Sequence, residues 1–372
     1  MKNNILSYID ETIDLIKTLC QIPSPSNQEK QKAVFIKNWL EKNNAKNVYI
    51  DKANNVIYPI NIKSDDKIDV FCAHIDTVFP DLIPFDFKQD DKYLYAPGVG
   101  DDTTSVAMLM IVSKYIANNY FKKIKPTLIV FNSCEEGLGN LKGIKTLMDN
   151  YKGKINQVVS FDAQYDYIVN DCVGSHRYEV IVKTKGGHSY RDFNNENAIQ
   201  IISGLINSLY DVDVSNLKGN TTYNVGIVNG GTSINTIAQQ ANMLYEYRST
   251  SYESLKAMKE IFYSKVEKIK QPNIEVIINE LGKRPCKENV DETKLKSLTK
   301  KLVDICKKHS KLECYETAGS TDCNIPMSLA IPGVTVGCYL GSGEHTRQEK
   351  VLIESIPIGL NIVFDIVLEN FK

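Results

Sequence analysis

The sequence of 372 residues has no uninterrupted apolar run near the roughly 18 residues of a membrane-spanning helix; stretches such as VIYPI and SLAIPGVTVGCYL fall short. A charge of one sign is lacking too. The 44 lysines and arginines against 45 aspartates and glutamates leave a net charge of -1, so no general attraction to nucleic acid or to an anionic membrane is built in. Cysteine pairs are missing: nine cysteines form an odd, dispersed set without a CxxC, which reads as reduced thiols in a cytosolic protein rather than a disulfide framework. The opening MKNNILSYIDETIDLIKTLC carries acids where a signal peptide needs an apolar core. A soluble, cytoplasmic protein is expected. Absent motifs narrow the chemistry further. Without HExxH a helix-borne single-zinc protease is unsupported, and without GxSxG so is a serine nucleophile elbow. GNLKGIKT lacks the spacing of a phosphate loop, and GVGDDT stops short of a dinucleotide fingerprint.

What is present is ordinary globular composition, with 42% hydrophobic and 24% charged residues, and a length that predicts two or three domains. Ile5, Ile9, Ile13, Ile16 and Leu19 recur at helical spacing until Pro23 and Pro25 stop the pattern. A second helical stretch (about 28–43) and a hairpin-like segment (51–61) follow. Buried-type strands are expected at 68–73, 127–132, 157–161 and 333–338, most of them separated by helices. Continuous apolar strands need both faces covered, which predicts an α/β fold with a mostly parallel sheet. Between about 172 and 284 the order becomes strand, helix, strand, strand, helix, strand, a ferredoxin-like α+β block. Because α/β rhythm resumes after it, the block reads as an insertion: residues 1–171 and 285–372 form one discontinuous domain, and 172–284 a second.

Ligand-grade side chains gather where the buried strands end: His74 and Asp76 after 68–73, Glu135 and Glu136 after 127–132, Asp162 after 157–161, and His345 a loop beyond 333–338. The carboxyl ends of strands are where open α/β sheets bind ligands. Asp101 and Asp102 precede an apolar helical stretch, where a helix N-terminus can hold a carboxylate. Each feature alone has a bland reading as a capped turn, a solvated helix start or an N-cap pair. Together, at the ends of separate buried strands, they form a nitrogen/oxygen set suited to Zn²⁺, with Mn²⁺ or Co²⁺ tolerable. Two ions about 3.5–4 Å apart, bridged by one carboxylate, would use all the ligands and activate a water for amide hydrolysis. One acid must stay off the metals to move the proton. Glu135, next to a ligand yet expected to point elsewhere, fits that task.

At these residues the sequence resembles the M20 family of co-catalytic metallopeptidases and amidohydrolases. The resemblance runs through AHIDTVFP (73–80), YAPGVGDDTTS (95–105), SCEEGLGNLKG (133–143), SFDAQ (160–164), GGHSYRDFNNENAI (186–199), GTSINTIAQQANMLYEYRS (231–249), KRPCKENVDE (283–292), GSTDCNIPMSLAIPGV (319–334) and GEHTRQE (343–349). It implies a zinc-binding α/β domain with an inserted lid or dimerisation domain. Asp101 would bridge two metals, His74 and Asp162 would complete one site, and Glu136 and His345 the other. Asp76 would orient the His74 ring, and Glu135 would be the general base and acid. In the lid, His188 matches a histidine that reaches the scissile carbonyl from the partner subunit of a homodimer, and Asn235 and Arg248 match positions that hold a substrate carboxylate. His176 and His309 are left as structural or exposed.

Two features bear on activity. Thr103-Thr104-Ser105 stands where relatives often carry Lys-Gly-Gly or Lys-Ala-Gly, which affects the surroundings of the bridging loop. Asp162 resembles aminopeptidases and dipeptidases, whereas the short span from His74 to Asp101 looks more like carboxypeptidases and deacetylases. The expectation is a di- or tripeptidase, with an N-acyl-amino-acid amidohydrolase as the alternative and a non-catalytic metal- or peptide-binding protein as a third reading.

Overall fold

The computed structural model describes residues 6–372; Ile5, the first member of the N-terminal helical pattern, lies outside them. The chain forms two compact units, Met1–Cys172 with Glu288–Lys372, and Val173–Lys287.

The first unit is built on an eight-stranded sheet. Its centre is four mutually parallel strands in the order Thr127–Asn132, Ile68–His74, Ile155–Phe161, Gly333–Val336. These are the continuous apolar runs of the sequence, and the first two and the last are buried along their whole length. On one flank the hairpin of Tyr49–Ile50 and Val56–Ile60 adds antiparallel strands. On the other lie Tyr167–Cys172, antiparallel to Gly333–Val336, and Tyr315–Gly319, parallel to Tyr167–Cys172. Neither strand is expected from the sequence. Tyr315–Gly319 is exposed along most of its length and Tyr167–Cys172 buries only Ile168 and Cys172, so neither has the unbroken apolar pattern of a central strand.

Helix Ser105–Asn118 is buried from Ser105 to Ser113 and packs beside helices Ile9–Cys20 and Ile356–Leu368. The acids before it do not cap it. Asp101 (φ -96°, ψ 93°) and Asp102 (φ -124°, ψ 24°) lie outside helical geometry, no side chain caps the helix, and the peptide bond between them is cis.

The second unit is a four-stranded antiparallel sheet, in the order Thr221–Gly230, Gln240–Ser249, Gly174–Lys183, Glu275–Arg284, with helices Ala198–Tyr210 and Tyr252–Glu267. Alternation decides its faces. His176, Tyr178, Val180 and Val182 on one strand, with Ala241, Met243, Tyr245 and Tyr247 on the next, are buried, and both helices contact these strands. Tyr178 stacks on Phe262 with ring centroids 4.5 Å apart. Arg177, Glu179, Glu246 and Arg248 alternate with that set and are half-buried on the opposite face. A separate two-stranded ribbon pairs Gly187–His188 with Thr236–Ile237.

Candidate metal centre

Because the central strands are parallel, their carboxyl ends share one edge of the sheet, and the loops leaving that edge carry the site. His74 is the last residue of its strand, the turn after Thr127–Asn132 brings Glu135 and Glu136, and Asp162 directly follows Ile155–Phe161. His74, Asp101 and Asp162 have potential ligand atoms within 4.8 Å of one another, and so do Asp101, Glu136 and His345. Asp101 belongs to both groups. Its Oδ1 lies 2.9 Å from His74 Nε2 and its Oδ2 lies 3.0 Å from His345 Nε2, while His345 Nε2 is also 3.3 Å from Glu136 Oε1.

Glu135 differs from its expected orientation. Its carboxylate lies within 4.8 Å of ligand atoms of His74 and Glu136, so it turns into the cluster. Cys134 has φ of 58°, a left-handed kink that ends the strand's side-chain alternation just before the two glutamates.

Asp76 stands between His74 and the glutamate turn. The nearest acceptor of His74 Nδ1 is the backbone carbonyl of Asp76, at 3.2 Å, with the carboxylate Oδ1 at 3.6 Å. That carboxylate is committed elsewhere: Oδ1 accepts from the Glu135 N–H at 2.9 Å, and Oδ2 accepts from the Glu136 N–H at 3.0 Å and the Ser26 hydroxyl at 2.7 Å. The carboxylate thus holds the glutamate turn by hydrogen bonds and stands beside the imidazole at 3.6 Å.

Charge is crowded here. Burial pushes Glu136 up to about 8 and Asp162 up to about 7, and the charge of Asp101 adds to both. Burial also acts on Asp101, but the hydrogen bonds from His345 and His74 outweigh it and hold this carboxyl well below the usual range. For His74, burial works against a charged ring, yet the contacts with Asp101 and Asp76 raise its pKa well above the ordinary value. His345 is raised to about 11 by its bonds to Asp101 and Glu136. The protein groups alone thus bind protons between imidazole nitrogen and carboxylate oxygen. Divalent cations fit the same positions: the donors are nitrogen and oxygen, one carboxylate faces an imidazole from each oxygen, and positive charge offsets the crowded acids.

In the second unit, Gly186 (φ 63°) and Gly187 (φ 146°) occupy backbone regions that favour glycine and lead into His188. The His188 Nδ1 accepts from the Tyr190 N–H at 3.2 Å, which puts the ring proton on Nε2. Asn235 is joined to the same ribbon, its carbonyl accepting from the Ser189 N–H at 3.0 Å. Arg248 is at the far end of the sheet. It pairs with Glu246 through Nε at 3.0 Å and Nη2 at 3.1 Å. Gln240, beside the ribbon, and Arg248 are eight steps apart on one continuous strand, or about 26 Å at roughly 3.3 Å per residue. His188 and Arg248 therefore belong to opposite ends of this sheet.

A profile of peptidase family M20/M25/M40 matches residues 70–369. The chain belongs to this family. Among similar proteins is a succinyl-diaminopimelate desuccinylase from Corynebacterium glutamicum, 24% identical over 359 residues that cover 94% of each chain. A tripeptidase from Staphylococcus aureus shares the fold at a TM-score of 0.75 and 21% identity, over 97% of this chain and 98% of that one. A dinuclear metal-binding M20 peptidase from Bacillus subtilis aligns at a TM-score of 0.64 and 17% identity, over 98% and 99%. At these identities the two solved structures show likeness of fold.

Several residues of this M20 enzyme near the site had no role in it from the sequence. Asp102, 1% exposed, accepts the His74 backbone N–H at 3.0 Å. Asp322, also buried, accepts from Asn132 at 2.7 Å, and burial raises its pKa to about 8. Among the described residues, Lys32 is the only buried lysine or arginine of its unit. Burial lowers its pKa to about 8 against the opposing pull of Cys20, Asp76, Asp102 and Glu29. The available signal was the missing lysine of Thr103-Thr104-Ser105, next to Asp102, whose charge acts on Lys32 instead. His176 is buried against the Tyr247 hydroxyl at 2.8 Å, and His309 pairs with Asp365 at 2.7 Å.

Among the described residues, no helix is long and apolar enough to cross a membrane.

Proposed function

We propose that this M20 hydrolase cleaves an amide bond in di- or tripeptides with a pair of divalent cations, Zn²⁺ first and Mn²⁺ or Co²⁺ as substitutes. The observation that carries this reading is Asp101, whose two carboxylate oxygens face His74 and His345 at 2.9 and 3.0 Å. His74 and Asp162 would complete one site and Glu136 and His345 the other. Such a pair, when bound, makes water acidic at neutral pH and polarises the scissile carbonyl.

Glu135 has the chemistry for the proton steps. It is buried in the cluster, close enough to take a proton from the attacking water and return it to the leaving nitrogen. Its amide is fixed by Asp76 at 2.9 Å, which limits where the carboxylate can swing. His188, with its proton on Nε2, can donate to the oxygen that gains charge in the transition state. Arg248 can clamp a substrate carboxylate once its fork is released from Glu246. Since His188 and Arg248 belong to opposite ends of one lid, a homodimer is proposed in which His188 and Asn235 serve the partner's site. Exposed Ile227 and Val228 on the edge strand Thr221–Gly230 suit the isologous pairing of two lids.

A second reading, hydrolysis of N-acyl amino acids, is favoured by the desuccinylase relative, which covers 94% of the chain. The test is turnover of di- and tripeptides beside N-acetyl and N-succinyl amino acids, with Zn²⁺, Mn²⁺ or Co²⁺ added. Faster turnover of peptides is expected. Exclusive cleavage of acylated amino acids would select the second reading, and no turnover with any metal would leave a binding protein.

A further inference from the structure

Glu349 occupies an unusual position for an acid: it is 1% exposed, and its oxygens accept three backbone N–H groups of a single loop. Oε2 accepts from Gly98 at 2.7 Å, and Oε1 accepts from Gly100 and Asp101, both at 2.8 Å. The donors lie about 250 residues earlier in the chain and end at the shared carboxylate residue of the metal centre. The loop is shaped for this contact. Gly98 has φ of 72°, and a Cβ there would lie 2.8 Å from Thr77, while one at Gly100 would lie 2.7 Å from the Tyr339 ring. Converging amides of this kind form an anion-binding concavity, here filled by the protein's own carboxylate.

Glu349 belongs to the loop that carries His345, and it leads directly into the strand Lys350–Leu352, which pairs with Tyr93–Tyr95 just before the Asp101 loop. The same loop has a second anchor, Arg347, which forms a forked pair with Asp81 at 3.0 and 2.6 Å. One anchor therefore reaches the Asp101 backbone and the other does not.

We propose that Glu349 is a positioning residue of the metal centre: by gripping the Gly98–Asp101 backbone from the His345 loop, it sets the spacing between Asp101 and His345 and so the affinity of the cation these two hold. The inference rests on the two-metal reading above. A carboxylate is needed because the concavity offers only donors. In Glu349→Gln the amide NH₂ must face at least one backbone N–H, leaving a buried donor without an acceptor.

The test uses Zn²⁺ and the full-length protein, with each affinity measured by competition against a chromogenic chelator. Wild type should bind about two ions. Glu349→Gln should lose roughly ten- to hundredfold in affinity for at least one of them, the scale of losing a residue that orients a ligand. Asp81→Asn, which frees the other anchor of the same loop, should stay within about threefold of wild type. If the glutamine variant does not fold, Glu349→Asp carries the same expectation, since it withdraws the charge by one methylene. Wild-type affinities in the Glu349 variants, or an equal loss in Asp81→Asn, would overturn the assignment. A wild type that binds no pair of ions would instead strike the two-metal reading.

Discussion

Replacing Asp76 by asparagine keeps the side chain's shape and changes only its charge and one acceptor, so its consequences can be worked through atom by atom. In the wild type the carboxylate accepts from two backbone amides and a hydroxyl at 2.7 to 3.0 Å, and it is 1% exposed. An asparagine has one oxygen. If it faces Glu135, the NH₂ meets the Glu136 N–H; if it faces Glu136, the NH₂ meets the Glu135 N–H. The Ser26 hydroxyl can rotate to accept, but one buried amide is left unsatisfied in either orientation, which costs about 1–3 kcal/mol. The turn that carries both glutamates then loosens, and affinity for the metal held by Glu136 should fall roughly ten- to hundredfold. Urea unfolding of the metal-free protein reads the first effect and chelator competition with Zn²⁺ the second. The stability difference should also depend on pH. The contact with His74 and the hydrogen bonds hold Asp76 below the usual carboxylate range despite its burial, so its contribution is complete above the unfolded value of about 3.9 and is lost as pH falls through the lower folded value. An Asp76→Asn protein with unchanged stability at pH 7 and wild-type metal affinity would refute the idea that this carboxylate holds the turn.

Other expectations follow from the same geometry. Glu135→Gln should keep both metals while kcat falls about 10²–10⁴-fold, whereas Glu136→Gln should weaken metal binding; equal metal loss in both would reverse the assignment. His188→Ala and Glu135→Ala, each nearly inactive alone, should recover activity when mixed under conditions of demonstrated subunit exchange, and failure to recover would remove His188 from a shared site. His176 is 5% exposed, and burial first, then Lys283 and Lys259, lower its pKa to about 4. The unfolded state, at about 6.5, binds the extra proton first, so stability should drop by about 3 kcal/mol as pH falls from 6.5 through 4. In urea unfolding His176→Phe should lose most of that slope; an unaltered slope would place the pH dependence elsewhere.

The central strands were legible because burial on both faces demands unbroken apolar residues, as in IDVFCA and TLIVFN, and such runs need no knowledge of their neighbours. The metal-ligand candidates were legible for a related reason: polar residues placed directly after buried strands can only lie at the sheet's edge. Family resemblance supplied the order in which they would be used. Strands Tyr167–Cys172 and Tyr315–Gly319 escaped notice because flanking strands tolerate mixed residues. The direction of Glu135 was also hidden, since it depends on the φ of Cys134 rather than on residue type. Asp76, Asp102 and Glu349 show the deeper division. A carboxylate's chemistry is written in its own residue, but which backbone amides it meets is set by chain segments up to about 250 positions away, as with Glu349 and Gly98. Sequence determined which groups could bind a cation or move a proton. Only tertiary structure decided which of them are held still, because backbone donors are identical along the chain and packing alone selects among them.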